Sequence, residues 1–563
     1  MRETTSWRVA VVSVLALLLG GALFFRLFEK QVIEHERYAE AAKAQSTNER
    51  VVPAERGKIF AKDKDGGLFP LAVSEWQYDL EISPREVPNK ENLARFLSKD
   101  IRGVSSRQIL QQIDNDKVYV PPVVKGLAVT LAEKITAQKY AGVYLTKRLV
   151  RVYPEGASLA PQAIGFVDSS AEGKYGIEAV YDKTLRGKVG FEFATRDSLG
   201  RLIDLIGGKT STEGKDLVLT LDHNLQFVVE SELQSAIKEY KADSGEVVVM
   251  DPNTGAVLAV AGAPKFDPNH YSKLTGDDQY KFLLSAASDE YEPGSVFKPI
   301  TMAAALELKL VKPTTSNYFG ASVRVLGKKI VNALGDGFGQ ETMAQVLENS
   351  DNVAMVWVSK KLGAKNERKY FDKFGFGRQS GIDVVGEATG NLPASSEWND
   401  LLLANAAFGQ GIAVNLFQLA TAYSVIANGG TLVTPHLAEK AMSGEKAELF
   451  NFKTRGRVIS TKTAAEVRKM LVGVVVRGHG QRAAVAGVKV GGKTGTAQVP
   501  DPRGGYYKTR HVGTFAGLFP ADKPKFVMVV RLDNPKTVNF AESSAAPTFG
   551  KIATWMANYF QLR

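Results

Sequence analysis

A serine followed three residues later by a lysine places a hydroxyl nucleophile and a candidate base on one helix face. The chain carries three such pairs, Ser235 with Lys238, Ser295 with Lys298, and Ser443 with Lys446. Context separates them. Ser235 lies inside an amphipathic helical run, and Ser443 sits in a polar Gly/Lys/Glu stretch, so both read as solvated surface. Before Ser295 the chain is broken by Glu292-Pro293-Gly294, and residues 296–308 (VFKPITMAAALEL) predict a helix that tolerates Pro299 in its first turn. A hydroxyl opening that helix lies beside free backbone N–H groups at the positive end of the dipole, where an oxyanion can be held. Alone, the pair reads first as an ordinary N-cap serine with a surface lysine.

Two further tripeptides follow, Ser350-Asp351-Asn352 and Lys493-Thr494-Gly495, and each occurs once. With average residue usage, each arises by chance in roughly one protein in ten of this length, so both together in this order are on the order of a one-in-a-hundred accident. Ser350-Asp351-Asn352 falls between two helical runs, 343–349 and 353–362, in a connection that can project side chains into a cleft; the plainer reading is a turn built of turn-forming residues. Residues 488–499 (VKVGGKTGTAQV) predict a strand, with Lys493 and Gly495 on one face and Thr494 and Thr496 on the other. A glycine there permits close backbone approach by a ligand. Residues 487–494 also match the phosphate-loop pattern GxxxxGKT, but that loop needs a helix after the lysine, and 495–502 (GTAQVPDP) cannot form one.

The elements that must position these residues are legible as patterns. Residues 225–240 have helical spacing, 246–250 and 256–261 are β-rich runs around Asp251-Pro252-Asn253-Thr254-Gly255, and a mostly helical stretch follows. Strands return at 488–499, 512–519 and 526–532, with a last helix from about residue 548. That order implies an α+β domain, an antiparallel sheet with strands from both ends and helices inserted between. Residues 51–220 are a mixed α+β region with one helical stretch near 128–138 and no catalytic spacing, expected to be a spacer or interaction module.

Residues 9–25 are uncharged and apolar, and with Leu27 and Phe28 they approach the ~20 residues that span a bilayer. Arg2 and Arg8 precede them, so the positive-inside bias keeps the tail cytoplasmic and sends the remainder outside. No small-residue cleavage site follows, which favours an uncleaved anchor in the cytoplasmic membrane. Residues 29–48 have high helix propensity and read as a stalk. The expected division is a tail at 1–8, an anchor at 9–28, stalk and pedestal at 29–220, and a catalytic domain at 221–563.

The composition narrows the chemistry. The 563 residues include no cysteine, which removes disulfide scaffolds, Cys-ligated zinc, iron–sulfur clusters and thiol nucleophiles. A net charge of +11 suits an anionic membrane or polymer, and without a basic run interleaved with aromatics a nucleic-acid partner is not expected.

The constellation resembles the class B penicillin-binding proteins over nearly the whole chain after the anchor. Beyond the three motifs, residues 291–299 (YEPGSVFKP), 408–430 (FGQGIAVNLFQLATAYSVIANGG) and 491–498 (GGKTGTAQ) resemble that family's transpeptidase domain. Arg56-Gly57-Lys58-Ile59, Arg151-Val152-Tyr153-Pro154, residues 173–178 and Leu185-Arg186-Gly187 resemble its pedestal. Ala61 departs from the usual Asp, and Leu284-Ser285 from a common Asn-Arg pair. His511, Thr514, the FAGLFP run and VRLDNP (531–535 with the preceding Val) are closer to septal, FtsI-type enzymes than to elongation enzymes.

The resemblance implies a peptidoglycan DD-transpeptidase acting on D-Ala-D-Ala stem peptides through a serine acyl-enzyme, with β-lactams as covalent inhibitors. Ser295 is then the nucleophile and Lys298, while neutral, its base, since no Ser–His–Asp set is evident. Ser350 relays a proton toward the leaving D-alanine, and Asn352 orients Lys298 and the substrate amide. Lys493, Thr494 and Thr496 bind the terminal carboxylate, Gly495 lies between them, and the N–H groups of Ser295 and Thr496 form the oxyanion hole. Neither a metal nor another cofactor is expected. No ExxLN-like element follows Ser350, so hydrolysis of the acyl-enzyme is expected to be slow. An elongation-type transpeptidase, a DD-carboxypeptidase and a non-catalytic β-lactam sensor or divisome scaffold are the competing readings. Glycan polymerisation falls to a partner, by resemblance a SEDS-type glycosyltransferase, alongside division proteins.

Overall fold

The computed structural model describes residues 6–38, 47–101, 103–118, 120–154, 159–196 and 202–562. Arg2, most of the expected tail and stalk residues 39–46 lie outside the described residues. Two compact units result, one of residues 1–55 with 187–214 and one of residues 56–186 with 215–563.

In the first unit, the apolar N-terminal run forms helix α1 (Ser6–Phe28), and the helical path continues through a π turn at Glu29–Ile33. The 27 residues from Trp7 to Ile33 are long and apolar enough to cross a membrane, spanning about 40 Å at helical rise. Large side chains such as Leu17 and Phe24 are more than two-thirds exposed, as expected of a helix whose solvent is lipid. Three antiparallel strands, Thr47–Val52, Gly190–Arg196 and Leu202–Lys209, form a small sheet in this unit.

The second unit begins with a sheet in which strand Asp216–Asp222 pairs in parallel with Ile59–Lys62 and antiparallel with Ala438–Ser443. The expected boundary near residue 220 therefore falls within a strand that is paired on both edges. The pedestal motifs meet around one carboxylate. Arg56 Nη2 and Arg151 Nε each lie 2.7 Å from the fully buried Glu178, and Tyr153 Oη donates to it at 3.2 Å. Burial of that charge is tolerable only because its acceptors are taken by two guanidinium groups and a phenol.

The catalytic portion follows the expected order. Asp222 caps helix α2 (His223–Tyr240) by accepting from Leu225 N, and the turn at 251–255 joins β1 (Ser244–Met250) to β2 (Val257–Ala263). The helical stretch contains α3 (Lys298–Glu307), then small β pairs including β3 (Gly339–Thr342), then α4 (Met343–Glu348), α5 (Asn352–Leu362) and α6 (Thr461–Val476). The chain closes with β4 (Gly491–Pro500), β5 (Tyr506–Phe519), β6 (Phe526–Asp533) and helix α7 (Ala545–Tyr559). The five strands form an antiparallel sheet in the order β2-β1-β6-β5-β4. Val247 and Val249 of β1, on one face, join a core with Leu233 of α2 and Phe549 of α7, while Val248 and Met250 face the inserted helices. β4, an edge strand paired only with β5, carries the Lys493 motif.

Candidate active site

Ser295 does not open an α-helix directly. It lies in a 3-10 turn, Gly294–Phe297, and α3 begins only at Lys298, with Pro299 in its first turn where a missing N–H costs nothing. Gly294 holds φ +60°, a left-handed position suited to glycine, and its N–H donates to Gly409 O at 3.0 Å. Tyr423 Oη donates to Val296 O at 2.8 Å, and Phe297 packs against Phe371 and Phe376 at centroid distances of 4.7 and 4.8 Å. Ser295 is thus the half-buried residue of a turn fixed on both sides, and its hydroxyl makes no hydrogen bond among the described residues.

The three motifs converge. Ser350 Oγ lies 3.1 Å from Lys298 Nζ and 3.0 Å from Lys493 Nζ, so one hydroxyl bridges two lysines from separate motifs. Both lysine side chains are fully buried. Lys298 Nζ also donates to Ser350 O at 2.5 Å, and Lys493 Nζ to Thr494 O at 3.0 Å. Burial, reinforced by the neighbouring charge of Lys493, pulls the Lys298 ammonium far below its ordinary range. Burial brings Lys493 down to about 7, against the attraction of Glu542. A neutral amine beside a serine is what a lysine base requires.

Strand β4 reaches the nucleophile turn because Gly495 has no side chain. A Cβ built there meets Val296 N at 2.9 Å and Pro293 O at 3.0 Å. Lys493 and Gly495 share the face toward that turn, while Thr494 and Thr496 line a cleft of about 170 Å³ together with Ser295, Ser350, Asn332 and Phe540. Thr496 Oγ1 accepts from Ala541 N at 3.0 Å, leaving its hydroxyl proton available to a ligand. Two larger concavities, of about 510 and 490 Å³, lie around Phe227 on α2 and around Tyr291 and Asp533, and neither contains the serine–lysine cluster. Ser235, Lys238, Ser443 and Lys446, the two discarded pairs, are exposed.

Asn352 departs from its expected role. Its amide donates to Val331 O at 2.9 Å, its own N–H to Asn332 Oδ1 at 2.7 Å, and no hydrogen bond joins it to Lys298 among the described residues. Ser350 has φ +56° and Asp351 caps α5 through Ala354 N, so Asn352 is the first helical residue and its side chain turns to the 331–332 segment. Asn332, which thereby caps α5 from outside, lines the cleft and was not anticipated from sequence. Neither were Glu341, Asn349, and the cleft pair His479 Nδ1 and Glu542 Oε2 at 2.9 Å. These residues sit in irregular or very short segments where periodicity carries no signal.

The comparisons with known proteins agree with this geometry. Residues 245–554 match the penicillin binding protein transpeptidase domain, and residues 51–219 match the penicillin-binding protein dimerisation domain. Stage V sporulation protein D of Bacillus subtilis is 33% identical over 97% of this chain and 86% of its own length. Peptidoglycan D,D-transpeptidase FtsI of Escherichia coli is 29% identical over 97% of this chain and 91% of its own. Among solved structures, penicillin binding protein 3 of Mycobacterium tuberculosis complexed with aztreonam superposes with a TM-score of 0.70 at 28% identity, covering 91% of this chain and 98% of that one. With the serine turn, the bridged lysines and the Gly495 edge strand in one cleft, and with matches across both folded regions, this chain belongs to the class B penicillin-binding proteins.

Proposed function

We propose that this chain is a membrane-anchored, penicillin-sensitive serine D,D-transpeptidase that cross-links peptidoglycan stem peptides through an acyl-enzyme on Ser295. The observation that carries the reading is the Ser350 hydroxyl held between two buried lysines at the wall of the cleft that contains Ser295.

In acylation, Ser295 Oγ attacks the carbonyl carbon of the penultimate D-alanine and its proton passes to neutral Lys298 Nζ. A Lys493 ammonium donating to Ser350 Oγ leaves the Ser350 proton directed at Lys298, which gives a path toward the departing amine. As the C–N bond breaks, that path returns the proton to the leaving D-alanine, and an ester remains on Ser295. The amine of a second stem peptide then attacks the ester, losing its proton along the same path, and Ser295 is restored. Thr494 and Thr496, with the charge of Lys493 behind them, receive the terminal carboxylate. The N–H groups of Ser295 and Thr496 form the oxyanion hole, brought together by the close packing of Gly495 on the nucleophile turn. Asn352 supports the cleft wall through Val331 and Asn332.

Arg8, in the first turns of α1 and ahead of its uncharged run, supports an orientation with the catalytic portion outside the cytoplasmic membrane. A septal role is favoured by the similarity to FtsI and by the Thr514 and 531–535 segments, and a SEDS-type polymerase with division proteins supplies the glycan strands and the location. The folded divisions proposed are the anchor at 9–28, a pedestal to about residue 220 and the catalytic domain beyond it.

The test is labelled penicillin together with muropeptide products, using full-length protein with a glycan polymerase. Wild type is expected to take the label at Ser295 and to yield cross-linked dimers, and Ser295→Ala to do neither. Release of D-alanine without dimers would replace transpeptidation by carboxypeptidase activity, and labelling without any product would leave a sensor or scaffold.

A further inference from the structure

Behind the turn that carries Ser350, two carboxyl groups meet, and among the described residues no cation is hydrogen-bonded to either. Glu341, on the inward face of β3, is 2% exposed, and Asp351, the cap of α5, is fully buried. Each commits one oxygen: Glu341 Oε1 accepts from Asn349 Nδ2 at 2.5 Å, and Asp351 Oδ1 accepts from Ala354 N at 2.8 Å. The other oxygens, Glu341 Oε2 and Asp351 Oδ2, are buried and find no donor among the described residues. The two carboxyl groups lie within hydrogen-bonding reach of each other. Two buried carboxylates in such contact repel each other, so at neutral pH and below a single proton held between them converts the repulsion into a hydrogen bond.

We infer that Glu341 and Asp351 share one proton, and that this singly charged pair positions the Ser350 turn and limits the negative charge facing Lys298. Asn349, Ser350 and Asp351 are consecutive, and Glu341 holds the first by its amide and the last through the shared proton. Between them Ser350 keeps a left-handed backbone conformation, φ +56°, which a non-glycine residue holds only where its surroundings over-determine it. Glu341 is thus a positioning residue acting through Ser350 and Lys298.

The surrounding charges fix the direction of the pH effect. Facing Glu341 are Asp351 from the α5 cap and Lys298 from α3, with Lys493 of β4 beyond Lys298 across Ser350. Glu348 of α4 is tied to Arg477, and Glu542 to His479. Burial foremost, and Asp351 in addition, push the Glu341 carboxyl up to about 7 against the hydrogen bond from Asn349. Both carboxylates favour the charged form of Lys298. Loss of the shared proton above neutrality therefore adds a second negative charge, raises the proton affinity of Lys298 and withdraws the neutral base.

The catalytic consequence rests on the reading of Lys298 as the base, while the shared proton does not. Full-length protein in detergent, as wild type, Glu341→Gln and Glu341→Ala, is assayed from about pH 5.5 to about pH 9 for the second-order rate of Ser295 labelling by a fluorescent penicillin and for the thermal unfolding midpoint. The glutamine amide can donate to Asp351 Oδ2 while its carbonyl accepts from Asn349, reproducing the protonated glutamate; alanine leaves both partners unpaired. Below neutrality Glu341→Gln is expected within about threefold of wild type and Glu341→Ala about tenfold slower or worse. The rate ratio of Glu341→Gln to wild type is expected to rise as pH passes about 7. Wild type is also expected to lose thermal stability relative to Glu341→Gln as pH rises from about 5.5 to about 7, with the difference levelling off above that, since a carboxyl with a raised folded pKa stabilises fully below its unfolded value and has lost that contribution once pH has risen through the folded one. Equal damage from both substitutions, or a stability difference that is flat with pH, overturns the shared proton. Should the alanine variant fail to fold, the glutamine comparison still decides. Failure of wild type to label at Ser295 would sink the transpeptidase reading instead, with the stability comparison still standing.

Discussion

Replacing Gly495 by alanine isolates the closest approach in the site. Gly495 does not occupy a left-handed conformation, so the substitution adds only volume. The new Cβ meets Val296 N and Val296 Cγ1 at 2.9 Å and Pro293 O at 3.0 Å, and two of these three are backbone atoms of the nucleophile turn. Ordinary contact begins near 3.4 Å, so β4 and the turn must separate by about 0.5 Å. The turn cannot yield easily, because Gly294 is bonded to Gly409 and Val296 O to Tyr423. An edge strand paired only with β5 can. Its displacement carries Thr496 and its N–H away from Ser295. Because a misplacement of about 1 Å costs on the order of a hundredfold in rate, half that shift is expected to slow labelling of Ser295 by penicillin about tenfold. Stability should fall by only about 1–3 kcal/mol, the usual range for overpacking. Stopped-flow acylation with a chromogenic β-lactam, normalised to the folded fraction, gives the rate. A variant that acylates within about twofold of wild type would refute the claim that the Gly495 approach sets the oxyanion geometry.

Ser350→Ala removes the hydroxyl between the two lysines, and acylation is expected to fall by about a hundredfold or more while the thermal midpoint changes little, as rate and unfolding measurements on one preparation will show. Because burial favours neutral Lys298, the wild-type rate should decline as pH falls through the depressed pKa of that amine, and Lys298→Met should abolish acylation at every pH tested. Glu178→Ala leaves Arg151 buried without its carboxylate and Arg56 with Asp182 alone, and is expected to cost about 3–5 kcal/mol in denaturant unfolding, with unchanged acylation per folded molecule. Burial raises the Glu367 carboxyl to about 8 against a hydrogen bond from Ser359. Its contribution to stability is therefore present below the unfolded value and lost as pH rises through 8, so Glu367→Gln should gain roughly 3 kcal/mol over wild type between acid pH and pH 7 in the same unfolding assay.

What sequence could carry was whatever rests on periodicity or on a side chain's own chemistry. The central strands β1 and β6 are Val-rich runs buried on both faces, and the helix at 223–240 announces itself by spacing, so the sheet and its inserted helices were legible. The N-terminal region was read less well. Helix Ser106–Ile113 carries a capping box, Ser105 with Gln108, that could have been found by inspection, and helix Lys90–Asp100 is capped by Asn89. Site residues fall along the same line. Ser295, Lys298, Ser350 and Lys493 have reactive or charged groups whose spacing is itself evidence, whereas Asn352 shows that a residue in the right tripeptide can spend its side chain on a backbone carbonyl at the end of a short strand. Nothing local marks Glu341. Its environment is made by Asn349 and Asp351 arriving through a left-handed serine, a conformation that sequence does not advertise for a non-glycine residue. Function here depends on long-range burial: Lys298, an ordinary lysine by sequence, becomes a base only because the fold removes water from it and sets it, with the equally buried Lys493, against one hydroxyl.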